Sequence, residues 1–164
     1  MTASALTLLL ALVAGLVRAA AAEPAHALVG LGPIGLDVEL DPSQESLSAE
    51  RLARRMHARL SDGAPALTLA PVGRDRLRLT VAVRPYGATT LRGFWLPFSG
   101  TYGIGPVRLS LERLTTVVGV SEPVRASVWH AERQAAGPWR ESPAEILKLL
   151  DETLAEFLDA YRRR

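Results

Sequence analysis

Between Arg76 and Arg84 the chain alternates almost without fault: Leu77, Leu79, Val81 and Val83 fall on one side, Arg76, Arg78, Thr80 and Arg84 on the other. A period of two sends successive side chains to opposite faces of a strand, so this stretch demands a sheet with one dry and one wet face. Ile34 to Leu40 has the same pattern, with Ile34, Leu36, Val38 and Leu40 set against Gly35, Asp37 and Glu39. Where these two strands are neighbours, the acidic row of one faces the arginine row of the other, a favourable cross-strand pairing.

Three further stretches read as strands. Ala66 to Ala70 is short and apolar and ends at the turn Pro71-Val72-Gly73-Arg74-Asp75. Val107, Leu109 and Leu111 begin another strand, whose phase slips near Glu112-Arg113-Leu114, where a β-bulge is expected. Val124 to Arg133 puts Val124, Ala126 and Val128 on one face and Trp129 on the other with Arg125 and Arg133.

Two segments carry helical spacing instead. From Leu47 to Leu60 the residues Ala49, Leu52, Ala53, Met56 and Leu60 form a stripe, and Arg51, Arg54, Arg55 and Arg59 take the opposite side. Ser46 or Ser48 is the expected cap, and Gly63 the left-handed stop. Ser142-Pro143-Ala144-Glu145 supplies a capping serine, a proline at the first helical position and a glutamate three residues on. Behind it Ile146, Leu149, Leu150, Leu154, Phe157, Leu158 and Tyr161 line one face, and Arg162 to Arg164 suit the negative C-terminal end. The expected fold is α+β, a two-layer sandwich of order β-α-β-β-β-β-α: a mainly antiparallel sheet of about five strands with two amphipathic helices on one face.

Ahead of this domain, Ala5 to Val17 is an unbroken apolar run of signal-peptide length, followed by Arg18 and small residues. The small-x-small rule is met by Ala20 and Ala22 and again by Ala25 and Ala27. Residues 1–22 are expected as a signal peptide, cleaved after Ala22 or Ala27, with 23–33 as linker and 34–164 as one α+β domain. The alternative is an uncleaved N-terminal anchor, for which thirteen apolar residues are short. The expected address is therefore periplasmic or secreted, in a bacterial producer.

Composition excludes several functions. Hydrophobic residues make up 48% and charged residues 22%, which is too apolar for a disordered chain. Once Arg18 leaves with the leader the net charge is +1, no footprint for nucleic acid. Without cysteine there is no disulfide, thiol catalyst or lipidation site. The histidines are His26, His57 and His130; a site from His57, His130 and Glu132 lacks any local ligand pair, so no metal and no cofactor is expected. Gly100 to Gly105 lacks the lysine and following helix of a phosphate loop. No Gly-x-Ser-x-Gly motif nominates a nucleophile, and Asp37 with Glu39 on one strand face does not make a catalytic pair.

What stands out is the connection Tyr86 to Tyr102, YGATTLRGFWLPFSGTY, which holds five of the nine aromatic residues. Connections this long are uncommon unless functional or disordered, and disordered segments are poor in aromatics. Leu91, Phe94, Trp95, Leu96, Phe98 and Tyr102 are the candidate contact residues for a partner protein or a membrane interface, where tryptophan is favoured. Rings folded back under the sheet as core are the competing expectation.

With strand, helix, meander and helix assembled behind an export signal, and with Val128-Trp129-His130-Ala131 ending a strand before the Ser-Pro-Ala-Glu helix start, the mature chain resembles the small periplasmic domains of ABC-transport auxiliary lipoproteins and related envelope-assembly proteins. It departs from them in having no lipobox cysteine. The resemblance implies a sheet backed by two helices and a non-enzymatic envelope role in contact with a partner or lipid, and carries over no functional residues. The expected function is thus an exported, non-enzymatic binding or assembly module working through its aromatic loop. The rival is a small secreted hydrolase, whose pocket would bring His57 or His130 beside an acid or a serine.

Overall fold

The computed structural model describes residues 28–87, 100–119 and 121–164. Its elements are β1 (Ile34–Leu40), α1 (Ala49–Gly63), β2 (Asp75–Val81), β3 (Arg84–Gly87), β4 (Thr101–Thr115), β5 (Val124–Pro138), a 3-10 turn (Trp139–Glu141) and α2 (Ser142–Arg162). This is the expected α+β order, with five mostly antiparallel strands and two helices on one face. The long β4 runs through the middle: β2 pairs its C-terminal half and β3 its N-terminal half along one side, and β5 follows the other side for its whole length. β1 adds beyond β2 in parallel, with Asp37 opposite Arg78.

The alternation put the right residues inside. Leu77, Leu79 and Val81 of β2, Val107, Leu109 and Leu111 of β4, and Ile34 of β1 are essentially inaccessible. Above them lie Leu52, Met56 and Leu60 of α1 and Ile146, Leu150, Leu154 and Phe157 of α2. Each such side chain contributes about 1.5–3 kcal/mol by leaving water. Ser48 caps α1, accepting a hydrogen bond from the Arg51 amide at 3.1 Å. The cross-strand ion row also forms: Arg78 lies 3.0 Å from Glu39 and 3.7 Å from Asp37, and Arg76 3.5 Å from Asp37.

Four local expectations are corrected. Ala66 to Ala70 makes a single bridge, Leu69 to Ile34, and Pro71, which has no N–H, follows at once; the fifth strand is Arg84–Gly87 instead. The bulge falls between Leu111 and Glu112, but the extra residue is Val128, in β5: Leu111 faces Trp129 and Glu112 faces Ser127. That slip turns Trp129 to the helix side, where it is 6% exposed and meets Phe157 edge-on at 5.2 Å. Arg133 follows it and pairs with Glu156 of α2 at 2.6 Å. Ser142 does not cap α2, which begins after the 3-10 turn without a side-chain cap; the buried serine packs on Gly103, where a Cβ would collide with its hydroxyl. Gly63 ends α1 without a left-handed φ, and its missing Cβ leaves room for Leu158 of α2.

Residues 28–33, read from sequence as the end of a linker, are held on this body. Leu28 is fully buried, the Gly32 amide donates to Asp75 at 2.9 Å, and the guanidinium of Arg113 donates to Asp75 at 3.0 Å and to the Val29 carbonyl. Arg164 closes the same end, donating to the Leu28 carbonyl while lying 3.8 Å above the Tyr161 ring.

Candidate contact surfaces

The aromatic connection leaves the sheet at its far end. The last ladder pair is Gly87 with Thr101, and the first residues back along it, Tyr86 and Tyr102, face each other. β3 is exposed at every position, with Tyr86 37% accessible. Of the six candidate contact residues, Tyr102 is buried in β4, between β3 and Pro138 of β5. Leu91, Phe94, Trp95, Leu96 and Phe98 lie outside the described residues. The end that carries this connection is opposite the end that holds Leu28, since β2 and β3 run end to end from Asp75, beside Arg113, to Gly87. Thirteen extended residues make that separation about 40 Å.

The basic row of α1 is largely committed to the protein itself. Arg55 grips Asp151 of α2 through two bonds of 2.9 and 2.5 Å, and Arg59 reaches the same carboxylate at 3.0 Å. The Arg55 bond is the main cause holding the Asp151 carboxyl below its usual range, against the opposing effect of burial; Arg59 adds to it. Arg54 pairs with Glu50 within the helix at 2.6 Å. Arg55 and Arg59 thus clamp the two helices, while Arg51, Arg54 and Arg59 stay exposed to solvent.

His57 and His130 do not converge. His57 is exposed on α1, 3.4 Å from the Ser61 hydroxyl, whereas His130 is exposed on the open face of the sheet. His130 does stand directly across from Ser110, and Glu132 is next but one along β5. Glu132, however, is bonded to Arg108 at 2.6 Å, and no hydrogen bond joins His130 to Ser110 among the described residues. No cluster of three metal-ligating side chains occurs among the described residues, and no described helix is long and apolar enough to cross a membrane.

Two features were invisible in the sequence. One is a largely apolar groove of about 360 Å³ between α1 and the segment after it, walled by Leu36, Ala53, Leu69 and Pro71, with His57 on its rim. The other is the outer edge of β1. Alternation announces a strand but not which of its edges a neighbour covers.

No protein-family model matches the chain, and no curated protein matches it. Among solved structures, a minor lipoprotein from Acinetobacter baumannii is 9% identical, with 79% of this chain and 92% of that chain covered at a TM-score of 0.38. A protein described as a lipoprotein from Caulobacter crescentus is 13% identical, with 87% and 89% covered at 0.24. Both TM-scores are below 0.5, so neither bears on what this chain does.

Proposed function

We propose that this chain is an exported, non-enzymatic binding or assembly module of the cell envelope, and that its aromatic connection is the contact. The observation that supports this reading most is the departure point of residues 88–99. They leave from a four-residue strand exposed along its whole length, at the end of the sheet opposite the Leu28 segment. Large rings delivered there cost free energy in water unless something covers them. A partner protein or the membrane interface of the envelope would supply that cover.

The test compares the wild-type protein with the double variant Phe94→Ser/Trp95→Ser for melting temperature and for co-sedimentation with envelope membranes. A contact surface loses binding while its melting temperature stays within about 2–4 °C, the shift that a kilocalorie produces in a domain near this size. A collapse of the melting temperature with no membrane or partner binding to lose would make these rings core and end the proposal.

A further inference from the structure

We propose that the free edge of β1 is a docking site for an extended peptide of alternating apolar and basic residues, added to the sheet as one more strand. The amide of Ile34 donates to the Thr68 carbonyl at 2.9 Å and its carbonyl accepts from the Ala70 amide at 3.0 Å, so the backbone of Ile34 faces away from β2. Alternation then turns the N–H and C=O groups of Leu36, Val38 and Leu40 the same way. Pro71 ends the covering segment, and among the described residues no backbone or side-chain hydrogen bond reaches the outward groups of Leu36 or Val38. A row of open donors and acceptors beside a paired strand is a template for strand addition.

Both faces of such an added strand have a counterpart. On the helix side it would run beside half-buried Leu36 and Val38 and over the apolar groove walled by Ala53, Leu69 and Pro71. On the open side it would run beside Asp37 and Glu39, whose arginine partners all approach from β2 and leave the outward flank of the acidic row uncovered. Apolar side chains therefore match one face and lysine or arginine the other. A second copy of this chain fits badly: antiparallel pairing of two β1 edges centred on Asp37 or Val38, the registers that overlap the strand most fully, sets Asp37 against Asp37 or against Glu39, and like charges directly opposite are destabilising. The site owes nothing to the aromatic connection and stands or falls separately from it.

The experiment uses the mature protein and a labelled, end-blocked peptide of alternating valine with lysine or arginine, with an analogue carrying glutamate at the basic positions. In the free protein, hydrogen exchange should be fast at the Leu36 and Val38 amides and slow at Asp37 and Glu39, and the basic peptide should slow the first pair. Val38→Pro removes an outward donor at a position where an edge strand tolerates proline, and should weaken binding about tenfold. Asp37→Ser/Glu39→Ser, which leaves the backbone edge intact, should erase the preference for the basic peptide over the acidic one. Equal binding of the two peptides to the wild type would overturn the proposal. So would protection of Leu36 and Val38 in the free protein, or self-association that Val38→Pro abolishes.

Discussion

Asp75 shows how one polar residue can hold a chain end. It is 1% exposed and stands directly opposite Arg113, and its two carboxylate oxygens serve the Gly32 amide and the Arg113 guanidinium. Removing one member of a buried pair strands the other, so Asp75→Ala should cost about 3 kcal/mol, read as a lower urea midpoint. Asp41 makes a separate, pH-dependent contribution. The Ser43 hydroxyl, then Arg84, then the Ser43 amide hold its carboxyl at about 2 against an ordinary 3.8. A depressed folded value means the stabilisation is fully present above the ordinary carboxylate range and is lost as pH falls through the folded value. Asp41→Asn should therefore be less stable than wild type at pH 6, and the gap should close between about pH 4 and pH 2 in urea titrations.

At the scale of elements, α2 does most of the joining. Its stripe covers β4 and β5, and Asp151 binds it to α1 through Arg55 and Arg59. Leu154→Ala should cost about 2–5 kcal/mol by opening a cavity, whereas exposed Glu152→Ala should hardly move the denaturation midpoint. Equal effects would mean that the helix presents another face. The stripe itself was legible, because apolar spacing of three and four admits one burial face. Trp129 was not: its face depends on an extra residue in β5, and a bulge changes the phase of everything beyond it. The start of α2 misled for a related reason. Ser142 has the chemistry of a cap, but the absence of a side chain at Gly103 lets the helix start approach the strand, and the serine is used in that contact. The edge of β1 was equally illegible, since where the segment bridging Ile34 lies, and that among the described residues no hydrogen bond reaches the outward groups of Leu36 and Val38, are set by tertiary structure.

For the molecule as a whole, the described residues place the Leu28 segment and the aromatic connection at opposite ends of one sheet. The export reading predicts a mature N-terminus at Glu23 or Leu28, which intact mass of the protein from the producing cell decides; a full-length cytoplasmic species as sole product would contradict it. The proposed contact requires residues 88–99 to meet something other than their own domain. A photo-crosslinking amino acid placed at Trp95 in the producing cell tests it most directly, with Val72, 91% exposed and away from that end, as the control position. A discrete adduct is expected from position 95, to a protein or a lipid, that position 72 does not give. Crosslinks from position 95 only within the chain itself would contradict it.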